Sequence, residues 1–346
     1  MQTNSRTGPL PWLPFAGWRP LRWLLGIVLT LVVAWTTLSM VYGPLPWPRV
    51  RMVLALVFAL FALWALWRAP GRRPILLLGV LLLAWGVLWA SIRPSHDREW
   101  RPEVAVMPRV EIDGDRILVR GYRNFEYRGV DDFTVRHEDR EYRLSKLAAL
   151  DFYVSYWQEG PVAHTYVAFL FEDAEPLVVS IETRPEVGEG FDPIASLFKA
   201  FELIYVVGDD RDITRVRTNH RHEQVFLYHT NLSRDAVREL FLVYAERINE
   251  LADEPEFYHL LSNSCTINIV RYANRIGRTG MVDIRHVLNG WSDRYMYRNG
   301  FVDTSMPFDR LRARSNINAA ANAAGDDPAF PERIRDGLPV PAPRAR

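Results

Sequence analysis

Apolar and polar positions divide this chain into two regimes. Three apolar runs come first: Trp23–Tyr42 is charge-free, Val50–Trp67 is broken only by Arg51, and Ile75–Ile92 is again charge-free. Each is long enough to cross a hydrocarbon layer of about 30 Å as a helix. Three such runs in tandem, with Trp near their ends, predict transmembrane helices over about 23–42, 50–67 and 75–92 rather than buried core helices. No small-residue cleavage site lies between the first two runs, so a removable signal peptide is not expected.

Beyond residue 92 the pattern shortens. Arg109–Arg120 alternates around Asp113-Gly114-Asp115 and reads as a hairpin; Phe133–Leu144 alternates again, and Leu147–Trp157 reads as a buried strand. Val162–Phe171 and Pro176–Arg184 form a second hairpin across residues 172–175. Residues 193–207 read as helix and then strand, and Gln224–His229 as a further strand. Ser233–Leu251 has the i, i+3, i+4 apolar spacing of an amphipathic helix with Ser233 as its cap. A second helix opens at Cys265 after Ser262-Asn263-Ser264 and stops at Gly277. Phe330–Gly337 reads as a short docking helix. The fold expected is α+β, an antiparallel sheet with helices behind a three-helix anchor. The domains run 1–92 anchor, 93–104 linker, 105–338 globular domain and 339–346 disordered tail.

Charge sharpens the division. Residues 1–92 hold eight arginines and no acid, whereas the remainder holds 34 basic and 41 acidic residues. Arg6, Arg19, Arg22, Arg68, Arg72 and Arg73 flank one side of the three runs against Arg49 and Arg51 on the other. The positive-inside rule then puts the N-terminus in the cytoplasm and residues 93–346 on the outer side of the membrane. Basic residues of the globular domain are interspersed with acids, which speaks against a nucleic-acid surface.

Cys265 is the only cysteine, so no internal disulfide exists. At a helix start, unpaired backbone N–H groups favour a thiolate, and His164 is the candidate base for it. If the second hairpin turns on Asp173, His164 faces Glu182; if it turns on Asp173-Ala174, His164 faces Thr183. In the first register Glu182 can orient the imidazole as the third member of a triad, with Ser180 and Arg184 on the same face. The plain alternatives are a cysteine acting as a small buried hydrophobe, a structural strand histidine, and Glu182 ion-paired to Arg184. A metal site built on His220 and His222 of one strand face, with His229 or His259, lacks a recognised ligand spacing and is opposed by Arg215, Arg217 and Arg221; no metal and no cofactor are expected.

The runs Ala163–Phe169, Val179–Arg184, Glu202–Val207, Arg217-Thr218 and Phe257–Thr266 together resemble the Lnb-type periplasmic domain family, in that order and over roughly residues 105–338. Many members carry Asn-Asn-Cys-Thr where this chain has Asn263-Ser264-Cys265-Thr266. The resemblance implies a permuted papain-like thiol-enzyme fold similar to the lecithin–retinol acyltransferases. It also implies Cys265 as acyl-accepting nucleophile, His164 as base and Glu182 as third member, with Arg184, Asn263, Tyr205 and Arg217 as binding or support residues. The named member is a lipoprotein N-acyltransferase of the bacterial cytoplasmic membrane. The expected partners are therefore a membrane phospholipid as acyl donor and a lipoprotein N-terminus or another amine as acceptor. A cysteine amidase or peptidase acting on cell-wall peptide, and a non-catalytic membrane-anchored binding module, are the competing readings.

Overall fold

The computed structural model of the chain describes residues 19–43, 47–277 and 283–342. They divide into two units, one of the first 95 residues with Asp192–Ala200, the other of His96–Phe191 with Phe201 onward.

The first unit contains α1 (Arg19–Val41), α2 (Pro48–Trp67) and α3 (Arg73–Ser91). All three are long and apolar enough to cross a membrane. Pro at the first turn of α2 and of α3 starts each helix without wasting a backbone donor. Ala62, Ala65 and Leu66 of α2 are fully buried in a cluster with Val33 and Leu78, and the two alanines are small enough to let helices approach closely. Two indole N–H groups find hydroxyl partners between the helices: Trp67 donates to Thr30 Oγ1 at 3.2 Å and Trp85 to Ser39 Oγ at 2.8 Å. Lys199 donates to the carbonyls of Trp89 and Ile92 at the C-terminal end of α3.

The second unit is built on an eight-stranded sheet. Its strands are β1 (Arg109–Asp113), β2 (Arg116–Arg123), β5 (His137–Arg143), β6 (Leu147–Tyr156), β7 (His164–Phe171), β8 (Leu177–Arg184), β9 (Glu202–Gly208) and β10 (Gln224–His229). The small ladder of β3 (Glu126–Tyr127) and β4 (Phe133–Thr134) lies outside it. The order is β1-β2-β9-β8-β7-β6-β10, with β5 also on β2. Every pairing is antiparallel except the single parallel contact of β2 with β9, where Gly208 is required because a Cβ would fall on the Arg123 carbonyl oxygen. The β1–β2 turn sits at Gly114, which adopts φ +59°.

Strand parity sorts the side chains. The odd residues Thr165, Val167 and Phe169 of β7 face α5 (Arg234–Asp253) and α6 (Cys265–Arg275), with Phe169 edge-on to Phe241 and Tyr244. The even residues Tyr166 and Ala168 face the opposite way, into a core shared with α4 (Asp210–Arg215), α9 (Asn318–Ala324) and α10 (Phe330–Arg333). Helix α7 (Ser292–Arg298) and helix α8 (Phe308–Arg314) follow α6 in the chain. Ser233 caps α5 through Ala236 N, and α6 ends where Gly277 takes φ +76°.

Several expectations need correction. Residues 193–207 hold one short 3₁₀ turn at Ala195–Leu197 before β9, not a helix. His220 and His222 do not share a strand face. Val216–His220 is a π-helical turn, and His222 adopts φ +55°. The helix expected over 330–337 is a single turn at Phe330–Arg333. Part of the tail expected at 339–346 lies outside the described residues.

Candidate active site

The register of the β7–β8 hairpin places the site. Tyr166 pairs with Ser180 and Val167 with Val179. The same register, continued two residues, puts His164 opposite Glu182 rather than Thr183. His164 opens β7 at one end of the sheet, and α6 delivers Cys265 to that end from the chain's last third.

Cys265 is 2 % exposed. Burial alone pushes its thiol up, but the His164 imidazole, as hydrogen-bond partner and as charge, outweighs burial together with hydrogen bonds from the backbone and side chain of Thr165. The balance brings the thiol down to about 6 from an ordinary 9.0. Thr165 is itself fixed, its hydroxyl 2.8 Å from that of Thr266. Ser264 occupies the cap position of α6 without a side-chain cap bond, so the cap residues expected here act differently. Ser262 bonds His259. Asn263 donates to Glu256 Oε2 at 3.0 Å and to the Phe257 carbonyl at 2.9 Å, and accepts from Asn268. Asn263 thus braces the turn that presents the thiol and does not touch the sulfur.

His164 Nε2 lies 2.7 Å from Ser180 Oγ and 4.0 Å from Glu182 Oε1. With Nε2 committed to the serine, Nδ1 is the nitrogen left for the thiol. Ser180 also hydrogen-bonds Glu182, so the serine hydroxyl sits between imidazole and carboxylate. Glu182 accepts from Arg217 Nη2 at 2.7 Å. Burial would raise the Glu182 carboxyl, but Arg217, followed by His164 and Arg123, holds it well below the usual carboxylate range. Arg217 is buried in the π-helical turn, donates to the Ile213 carbonyl and lies over the Tyr166 ring at 5.0 Å. The order from the sulfur outward is Cys265, His164, Ser180, Glu182, Arg217.

Two further groups reach the sulfur that the sequence did not single out. Asn289 Nδ2 donates to Sγ at 3.6 Å while its Oδ1 accepts from Ala163 N at 2.8 Å, so one side chain binds both the thiol and the residue before His164. The Tyr258 hydroxyl meets the backbone N–H and the sulfur of Cys265, and burial keeps that hydroxyl protonated far above its ordinary range. Asn289 owes its place to Gly290. A Cβ there would fall on the Gly160 carbonyl oxygen and 2.8 Å from the Pro161 carbonyl carbon. Gly290 N instead donates to Pro161 O at 2.9 Å, and Tyr156 donates to the Gly290 carbonyl. The Asn289-Gly290 pair was the available signal, but nothing in spacing alone ties it to Cys265.

Two expected support residues lie elsewhere. Arg184 does not bind Glu182. It donates to the carbonyls of Val104 and Ala105 and to His96 Nδ1, and stacks over Trp100 at 4.2 Å. Its side chain is long enough to leave the strand face and tie down the segment leading into the domain, and burial brings it down to about 10. Tyr205 bonds the Tyr272 hydroxyl and so fastens β9 to α6, on the other side of the sheet from His164.

A cleft of about 820 Å³ adjoins the site through Pro161 and Gly290, with Glu159, Arg285, Trp291 and Arg312 along its walls. A small apolar cavity of about 80 Å³ lies between α6 and β6–β7, lined by Val167, Ile269, Ala273 and Phe301. Among the described residues, no group of three or more His, Cys, Asp or Glu is arranged to hold a metal ion.

No curated protein and no solved structure matches the chain. Residues 133–290 match the family model described as the Lnb N-terminal periplasmic domain. That stretch contains His164, Ser180, Glu182, Arg217, Cys265 and Asn289, and over it the chain is similar to the Lnb N-terminal periplasmic domain family.

Proposed function

We propose that the protein is a membrane-tethered thiol acyltransferase of the bacterial cytoplasmic membrane, with its sheet domain on the periplasmic side. The observation that carries the reading is the buried thiol brought down to about 6 by an imidazole whose far nitrogen is held by Ser180. Cys265 thiolate attacks the ester carbonyl carbon of a membrane phospholipid. The S–C bond forms, the ester C–O bond breaks, and His164 gives its proton to the departing lysophospholipid oxygen. An amine acceptor then attacks the thioester carbonyl. The C–N bond forms, the C–S bond breaks, and His164 takes the amine proton.

The donors around the sulfur suit the tetrahedral intermediates of both halves. Asn289 Nδ2–H, the Tyr258 hydroxyl and the Cys265 N–H converge there, where preorganised donors stabilise a developing oxyanion. Ser180 and Glu182 hold the imidazole in one orientation, and Arg217 keeps Glu182 ionised. A lipoprotein with a free N-terminal amine fits as acceptor, because donor and acceptor are then both confined to the bilayer that anchors the enzyme.

The test is intact mass spectrometry of the full chain reconstituted with phospholipid and quenched without acceptor. An acyl-sized adduct, removed by hydroxylamine and missing in Cys265→Ala, is expected. Full alkylation of Cys265 with no adduct under any lipid composition contradicts the transferase. The adjoining cleft, with Glu159, Asp283, Arg285 and Arg294 in its lining, favours one second reading, an amidase acting on peptide through the same thiol. Release of a new amine from a cell-wall peptide, without lipid, would establish it.

A further inference from the structure

We infer that the catalytic end of the sheet domain is itself a membrane-contact surface, inserted at the lipid headgroup level by Trp157, Phe191 and Trp291. The inference rests on the chain being membrane-anchored and does not require acyl transfer.

The register fixes which loops share that end. β6 ends at Tyr156 and β7 begins at His164 beside Ser155; β8 ends at Arg184, opposite Glu202 at the start of β9. The 157–163 and 185–201 connections therefore leave the sheet at the same end as His164. Two more segments join them. Phe257 bridges to Glu202, which brings the 257–264 turn there, and Gly290 packs on Gly160 and Pro161, which brings 284–291 there.

These four segments carry the exposed aromatic surface of the domain. Trp157, Phe191 and Trp291 are 47, 46 and 45 % exposed, and they are the only Trp or Phe exposed to that degree among the described residues of the sheet domain. Val187, Leu261 and Ile284, each more than half exposed, lie on the same loops. Trp157 and Phe191 touch across two loops, ring centroids 5.7 Å apart, so they form one patch rather than isolated side chains. Exposed apolar residues scattered singly are ordinary, but all the exposed Trp and Phe gathered at one end mark an interaction surface.

Two observations choose lipid as the occupant. Trp and Phe rimmed by polar side chains make up the composition of an interfacial belt. Residues 192–200, in the β8–β9 connection that follows Phe191, also belong to the unit of the apolar helices. Glu159, Glu186 and Glu189 stand on the same loops, so attraction to anionic lipid is not the driving force. Insertion by aromatic burial is insensitive to salt, whereas adsorption by charge is not.

The experiment uses the full chain with Cys265→Ala, which removes the only native thiol, and single cysteines introduced by Trp157→Cys, Phe191→Cys or Trp291→Cys. Val135→Cys and Val340→Cys serve as controls. Each is labelled with a small fluorophore in nanodiscs whose lipid carries bromine on the acyl chains. Blue-shifted emission, most of it lost to bromine quenching at 157, 191 and 291 but not at 135 or 340, and unchanged when salt is raised severalfold, is expected. Emission typical of water at all five sites overturns the inference. So does a blue shift without bromine quenching, which would mean that protein covers the patch. Hydrogen exchange on the unaltered chain, comparing nanodiscs with a lipid-free amphipol, gives the same answer should a variant fail to fold. Slower exchange in lipid at 157–162 and 186–191 is expected, and equal exchange overturns the inference. The quenching arm carries no nucleophile, so its outcome stands apart from the thioester test.

Discussion

Replacing His164 by Ala separates the two forces that set the Cys265 thiol. Burial pushes the thiol up, and the imidazole is the largest influence pulling it down, to about 6. Without it, the hydrogen bonds of Thr165, Asn289 and Tyr258 are left to oppose burial, and the thiol is expected to rise back toward its ordinary 9.0. At pH 7 a thiol at about 6 is ~90 % ionised, and one at about 9 is ~1 % ionised, a difference of ~100-fold. The more basic thiolate is intrinsically the better nucleophile. With a Brønsted slope of ~0.4–0.5, three units give back ~20-fold. Alkylation by iodoacetamide at pH 7 is therefore expected to slow only ~5-fold, and the midpoint of the pH profile carries the answer. Wild-type rates should rise through a midpoint near 6 and level off above pH 7. Rates for His164→Ala should still be rising at pH 9. The assay is intact mass spectrometry over time at each pH, with circular dichroism to verify folding. A midpoint unchanged by His164→Ala would refute the pairing of this imidazole with this thiol.

Three further substitutions probe the groups behind that pair. Ser180→Ala leaves His164 Nε2 without its 2.7 Å partner, so single-turnover acylation should slow by ~10–100-fold at a stability cost of about 1–2 kcal/mol, read by stopped-flow and thermal unfolding. Asn289→Ala removes a donor to the sulfur and should lower kcat ~100-fold with little change in KM, the signature of an oxyanion donor. Arg217→Met strands the partly buried Glu182 carboxylate. A loss of about 3 kcal/mol in chemical denaturation is expected, partly restored by adding Glu182→Gln.

Face and register explain what was legible in the sequence. Period-two alternation in 162–171 and 176–184 fixes which residues of one strand share a face, so Ser180 and Glu182 group together, and His164 joins them in one of two registers. The turn left two registers open, and only the observed pairing of Tyr166 with Ser180 settles between them. Parity also misassigned Arg184, because a long flexible side chain at a strand end can reach past the face it starts from, here to the carbonyls of Val104 and Ala105. Its place beside Glu182 is taken by Arg217. A π-helical turn has no hydrophobic period to betray it, so the direction of that guanidinium could not be read. Asn289 and Tyr258 stand in irregular segments whose position depends on backbone contacts such as Gly290 against Pro161. The three apolar helices, by contrast, were visible at once, since their signal is length and composition.

Acyl transfer through Cys265 is tested most directly by following both products at once. The full chain, in liposomes of phospholipid labelled in the acyl chain, is given a peptide bearing a diacylglyceryl-cysteine with a free α-amine. Labelled amide on that amine should appear together with lysophospholipid in equal amounts, and both should vanish in Cys265→Ala. Labelled free fatty acid without amide would mean hydrolysis instead of transfer, and equal amide formation by wild type and Cys265→Ala would contradict the nucleophile.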